Sequence, residues 1–364
     1  MKVPTKRVFR KWRNPVRGRK NPEQMDNAFW RYCVQTRASA YAVNQKFGGP
    51  DSMASGPCWC FQRMGQAHVA LPDGRDVYIA GEHEDHYDPD FYIYNDVVIV
   101  DGEDIRIFGY PESDFPATDF HTATLVGRNI FLIGNLGYPE NRMKEQTQVY
   151  RLELESWKIL PVSTSGVTPG WIHEHSATLG LDGNKIAITG GKRCGQRITE
   201  NFDDYELDLN TFFWTKSVER NWSAWILERE DGEPNKLWEI RSESWNRKLG
   251  LSTSDQLREI LSELPDEVIS ELSPEATNRQ IEQLPFLYQS PFDGSVATED
   301  EENHGRYRLV LGATTVRFDE DMYGVTVTVE GELPDTLTNQ LLHDLQQRLT
   351  NIENSKYVVA AIDD

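Results

Sequence analysis

The chain has 364 residues and a net charge of −20, with 38% hydrophobic and 11% aromatic residues. That is enough for two domains, or one large domain with appendages, and for a packed core, but no uninterrupted apolar run is long enough to cross a bilayer. Four cysteines (Cys33, Cys58, Cys60, Cys194) are too few for a disulfide scaffold, and Cys58 and Cys60 stand too close for a zinc knuckle or a redox pair. A reducing, cytoplasmic setting is expected, with Asn221-Trp222-Ser223 a chance glycosylation match.

Residues 1–21 form a basic arm. Its nine cations are Lys2, Lys6, Arg7, Arg10, Lys11, Arg13, Arg17, Arg19 and Lys20, with no acid among them, so the rest of the chain carries −29. The arm lacks the apolar core of a secretory signal. It also lacks serine, and Pro4 and Pro15 interrupt a transit helix. Disorder is expected here, with nucleic acid as a partner reachable only through residues 1–20. Residues 22–48 then predict one helix. Pro22 suits its first turn, Phe29, Tyr32, Cys33 and Thr36 share a face, and Gly48-Gly49 ends it. Residues 49–62 are a turn-rich connector.

From residue 63 the texture becomes repetitive. AHVALPDGRDVYIAGE, FHTATLVGRNIFLIGN and EHSATLGLDGNKIAITGG align on His68, His121 and His175, each followed by a strand, a turn, a second strand and a glycine. A polar loop and two more strands follow in each: YNDVVIVDGEDIRIFGY, VYRLELESWKI and DDYELDLNTFFWTK. Four strands per unit at this period predict a mainly β architecture of propeller blades, complete or partial. Histidines that recur at one place in every unit read as structural hydrogen-bonders.

The units resemble kelch repeats. In the third, His175, Gly190-Gly191, Tyr205, Asp208 and Trp214 fall where that family places its histidine, glycine pair, Tyr-x-x-Asp run and tryptophan. The second matches with Gly134-Asn135, Tyr150, Glu153 and Trp157, and the first with Gly81-Glu82 and Tyr94. Pro116 and Pro169 resemble the links between blades. The resemblance covers residues 63–218. It implies a propeller whose loops after the glycine pair lie on a ligand-facing rim, and it implies no particular activity. Three blades would leave sheet edges that something must cover.

Residues 219–364 predict an acidic α+β module that either completes or caps the blades. SAWILERE and KLWEIRSES read as a hairpin, TSDQLREILSEL as a helix, and TEDEEN as an exposed linker. RYRLVLGATTVRF and YGVTVTVEG read as a second hairpin, DTLTNQLLHDLQQRL as an amphipathic helix and KYVVAAI as a last strand.

The distinctive stretch is GEHEDHYDPDF at 81–91. Its two histidines and five acids do not recur in GNLGYPENRMKEQTQ or GGKRCGQRITENFDD, so its chemistry belongs to this loop alone. His83, His86 and Asp88 are candidate ligands for a divalent metal. The preferred reading is instead an acidic, aromatic recognition loop of His83, Asp85, His86, Tyr87, Asp88, Asp90 and Phe91, which the resemblance places on the rim, joined there by Asp119, Trp171 and His173. No nucleophile elbow, phosphate loop or zinc-protease helix is present. The expected function is a non-catalytic kelch-like interaction protein that binds a basic protein or peptide, with no cofactor and no membrane. The alternative is an enzyme acting on a carbohydrate or other small polar ligand at the propeller mouth, with or without metal assistance.

Overall fold

A computed structural model describes residues 3–50, 56–83, 90–195, 197–250, 274–301 and 303–362. The chain is mainly β and forms two units, Met1–Glu219 and Arg220–Asp364. No helix among the described residues is long and apolar enough to cross a membrane.

The first unit begins with three helices. Thr5 caps α1 (Lys6–Trp12), whose Phe9 is fully buried, and Arg13 is buried beyond it. The disorder predicted for the arm 1–21 is therefore corrected over its described residues, 3–21: alternation of cations with Phe9 and Trp12 gives the arm one face for the core and one for water. The single helix expected over 22–48 is also corrected. Glu23–Gln24 is a short strand, and α2 (Ala28–Thr36) and α3 (Ala40–Phe47) have their own caps, Asn27 and Ser39. Arg37 breaks the run in the left-handed region (φ 51°), and Gly48 (φ 65°) ends the second helix.

Three four-stranded antiparallel meanders follow. The first uses Ala67–Ala70, Asp76–Ile79, Val97–Asp101 and Asp104–Gly109. The second uses Thr122–Val126, Asn129–Ile133, Val149–Glu153 and Ile159–Pro161, and the third Ser176–Leu179, Lys185–Thr189, Asp204–Asp208 and Phe213–Val218. Each outer edge is occupied. Glu23–Gln24 pairs with Asp104–Gly109. The Asn21 side chain brackets Ile159, donating to its carbonyl (2.6 Å) and accepting from its N–H (2.9 Å). Ser165–Gly166 pairs in parallel with the last strand of the third meander.

Apolar layers alternate with the sheets. Phe9, Phe29, Trp30, Phe47 and Trp59 pack with Tyr94, Val98 and Ile107 on one face of the first sheet. Val77, Ile79, Val97 and Ile99 on its other face meet Ile130 and Leu132 of the second, whose Phe131 and Ile133 meet Ile186, Ile188, Leu207 and Trp214 of the third. The far face of the third sheet is polar, with Lys185 paired to Glu206 (2.8 Å) and Thr215 exposed.

Backbone conformation fixes the register of the repeat. Gly65, Phe120 and Glu174 all lie in the left-handed region (φ 59°, 47° and 55°). They join in a chain of backbone bonds, Phe120 N–H to Gly65 carbonyl (3.0 Å) and Glu174 N–H to Phe120 carbonyl (2.9 Å). His121 and His175 are thus matched by Gln66 rather than His68. Likewise Ala80 (φ 54°) matches Gly134 and Gly190, so Ala80-Gly81 stands where Gly81-Glu82 was expected to be the glycine pair. Trp157 is shifted too. It occupies the left-handed turn position held by Phe212 in the third meander, while Ile159 takes the place of Trp214.

The second unit has its own core. Its antiparallel sheet runs Thr298–Glu299, Arg306–Leu311, Thr314–Glu320, Gly324–Glu330, Trp222–Arg229, Tyr357–Ile362. KLWEIRSES is not a strand but part of α4 (Leu237–Lys248), because Leu237 and Ile240 recur at helical spacing and the Glu353 carboxylate accepts from Leu237 N–H (3.0 Å). The helix read at 253–264 lies outside the described residues, and α5 (Pro274–Gln283) follows them. Thr298–Glu299, expected as linker, forms a short exposed edge strand, and the second hairpin is a three-strand meander. α6 (Asp335–Glu353) lays Leu341, Leu345 and Leu349 against this sheet.

Candidate functional site

The described residues of the loops after the second strand of each meander (82–93, 135–148 and 192–200) meet the segments that lead into the meanders: Glu82 pairs with Met64 ahead of the first, and the loops 135–148 and 192–200 both meet the segment ahead of the third. Lys192–Cys194 pairs with Ile172–His173, and Asn135 N–H donates to Ile172 carbonyl (2.8 Å). Asp119 and His173 are equivalent positions, each just before the left-handed residue that links the meanders.

Asp119 is fully buried. Its Oδ1 accepts from Gly137 N–H (2.7 Å) and its own N–H donates to Asn135 Oδ1 (2.9 Å). The carboxyl of Glu82 lies within hydrogen-bonding reach of it, and His173 stands nearby; burial raises its pKa above the usual carboxylate range. His173 is buried with Nδ1 3.3 Å from Glu174 Oε1, and Glu174 Oε2 is 2.8 Å from Lys192 Nζ. The hydrogen bond from His173, then those from Lys192, push Glu174 down to about 2. Trp171 is buried and donates from Nε1 to Leu136 carbonyl (3.0 Å), and Arg142 grips the carbonyls of Leu136 and Gly137 (3.0 and 3.1 Å).

His83 has a different set of neighbours. It is buried with Nδ1 3.1 Å from Cys60 Sγ, and burial pushes its pKa down to about 4. Beneath it the Arg63 guanidinium, inaccessible to water, pairs with Asp96 (Nη2 to Oδ2 3.0 Å) and lies 3.4 Å from the centroid of the Tyr94 ring. Trp59 Nε1 donates to Asp96 Oδ2 (3.0 Å). Asp90 is buried, and Phe91 meets Tyr138 edge-on, ring centroids 5.7 Å apart.

Of the predicted rim residues, the structure gathers Asp119, Trp171 and His173 with Glu82, Glu174 and Lys192. It buries His83 and Asp90, like Asp119, Trp171 and His173, where display to solvent was expected; His83 lies within the short pairing of Glu82–His83 with Tyr92–Ile93. Asp85, His86, Tyr87 and Asp88 lie outside the described residues, and with them two of the three predicted metal ligands. Among the described residues no three His, Cys, Asp or Glu side chains converge on a point that could hold a metal. Sequence reasoning missed Lys192, Arg142 and the role of Glu174. The signal lay in the offset from the left-handed position, which becomes visible only once the repeat is registered on the backbone.

The recurring histidines split. His68 is half exposed, bonded to Asp76 (2.8 Å) and stacked on Tyr78. His121 and His175 are buried side by side at the seam of the second and third meanders, with His175 Nε2 2.9 Å from Thr122 Oγ1.

No protein-family profile matches the chain, and no curated protein matches it. A solved structure titled "Structure of YjhT" is similar at 13% identity and a TM-score of 0.30, over 44% of this chain and 52% of that one. The chain thus spans about half the length of that structure.

Proposed function

We propose that the first unit is a kelch-like binding module that takes a basic protein or peptide on the side carrying loops 82–93, 135–148 and 192–200. The observation that carries this reading is the meeting of Glu82, Asp119, His173 and Glu174, drawn from successive meanders, on one set of loop bases. A rigid stack holds the loops, and the partly exposed carboxylates of Glu82 and Glu174 supply charge for orientation and encounter rate. The test is a partner cross-linked and isolated from the native host, then titrated against wild type and a Glu82→Gln, Asp85→Asn, Asp88→Asn variant. Affinity should fall roughly tenfold and lose much of its salt dependence. Equal affinity in the two proteins defeats the proposal.

One observation favours the enzyme reading. Glu82 and Asp119 form a carboxyl pair beside an imidazole, and burial holds Asp119 above its ordinary pKa. Such a pair can carry one proton and act as acid and base. This reading predicts hydrolysis or epimerisation of a small saccharide that Asp119→Asn abolishes. Its metal-assisted form predicts stoichiometric metal that is lost in a His83→Ala, His86→Ala variant.

A further inference from the structure

The second unit contains a groove that the binding module does not use. Its cavity of about 330 Å³ lies between α4 and the ends of the strands Arg306–Leu311 and Thr314–Glu320. On the helix, Trp238, Arg241, Trp245 and Lys248 line it, spaced three, four and three residues apart, so they form one stripe. Glu299, His304, Tyr307 and Glu320 face them.

Both indoles are 52% exposed, an unusual cost for tryptophan on a surface helix whose buried side is already supplied by Leu237 and Ile240. Seven residues separate them, so they stand about 10 Å apart along the helix axis. Between them sits a guanidinium that is already neutralised. Arg241 holds Glu320 through Nε (3.0 Å) and Nη2 (2.7 Å), and Tyr288 Oη donates to the same carboxylate (2.7 Å). Its Nη1 has no protein acceptor among the described residues. Lys248 on the helix is offset by Glu299 on the opposite wall, so the groove has no net charge among these four groups.

These features select a ligand. An anion or cation gains nothing from a charge-balanced wall, and a purely apolar ligand would strand the Arg241 and Lys248 donors and the Glu299 acceptor. A pyranose ring has an apolar C–H face to lie on an indole and a rim of hydroxyls that both donate and accept. Two linked pyranoses match the separation of the two indoles. We propose that this groove binds a neutral oligosaccharide along α4, with rings on Trp238 and Trp245 and hydroxyls bridged by Arg241 Nη1, Lys248 and Glu299.

The experiment uses the full chain, with binding measured by calorimetry and by saturation transfer from protein to ligand. The probes are cellotriose, maltotriose, mannotriose and chitotriose, with glucose, glucuronate and adenosine monophosphate beside them. At least one neutral trisaccharide should bind, and glucose should bind roughly tenfold more weakly because it reaches one platform only. Trp238→Ala and Trp245→Ala should each weaken the trisaccharide roughly tenfold, with circular dichroism unchanged. Glu82→Gln should leave the affinity as it is, which separates this site from the first unit. The proposal fails if none of the four trisaccharides binds, if both tryptophan variants bind as wild type does, or if glucuronate or the nucleotide binds more tightly than every neutral sugar.

Discussion

Val97–Asp101 and Asp204–Asp208 hold the same place, the third strand, in the first and third meanders, yet their sequences differ in kind. VVIVD is apolar at four successive positions, whereas DYELD alternates. The first strand sits in a sheet covered on both faces, by the aromatic helical cap on one side and the second sheet on the other. The second sits in a sheet covered on one face only, so the strand buries Tyr205 and Leu207 and turns Asp204, Glu206 and Asp208 outward. The period of a strand therefore tells whether its sheet is interior to a stack or ends it. A stack of repeats needs both kinds of end, one plastered over and one polar by design.

The largest expected effect lies at the plastered end. Trp59 stacks on Trp30 (centroids 5.0 Å, 13°) and donates to Asp96. Trp59→Ala should cost about 3–5 kcal/mol in guanidinium unfolding; a loss under about 1 kcal/mol would mean the cap is an accessory rather than a wall. Next comes the seam of the second and third meanders. A Cβ added at Gly134 (φ 77°) would lie 2.4 Å from Ile172 carbonyl oxygen and 2.6 Å from His175 Cε1. Gly134→Ala should cost about 1–3 kcal/mol.

The same seam should show itself in pH. Burial pushes His121 down to about 3 and His175 to about 4, so both stay neutral in the folded chain. Their unfolded counterparts take up protons below about 6.5. Their contribution is thus fully present above that pH and is lost as pH falls toward the folded values. A His121→Gln, His175→Gln variant should show a shallower fall in stability between pH 6.5 and 4 than wild type. Parallel curves would show that the imidazoles are not buried neutral.

The polar end should yield the smallest change in stability. Lys185→Val with Glu206→Val should leave the unfolding midpoint essentially unchanged, since a surface pair contributes little. It should also make the chain self-associate in analytical ultracentrifugation, because DYVLD then reads as an interior strand. A monodisperse variant would break the comparison.

Much of this was legible before the structure. The strands of all three meanders and α6 follow from period and turn residues alone. What failed was registration. Aligning on His68 and Gly81 was reasonable, because glycine is the residue expected at positive φ, but Ala80, Phe120 and Glu174 adopt that conformation without it. The tertiary bonds of the chain Gly65–Phe120–Glu174 hold them there, and no local pattern reports such a bond. KLWEIRSES failed for a related reason: its half-exposed Trp238 and Trp245 blur the helical face that Leu237 and Ile240 mark. In the candidate site, Asp119, Trp171 and His173 were found by proximity to the repeat, whereas Lys192 acts through Glu174 on another segment and Arg142 through backbone carbonyls that carry no side-chain signature.

The ladder of peptide bonds through Gly65, Phe120 and Glu174 has an evolutionary consequence. A joint made by main-chain groups is indifferent to which side chain rides on it, as glycine, phenylalanine and glutamate at one position attest. Such a repeat can shed its recognisable residues, mutation by mutation, while its spacing and its assembly persist. Kinship in chains of this kind is better sought in the rhythm of backbone angles than in letters.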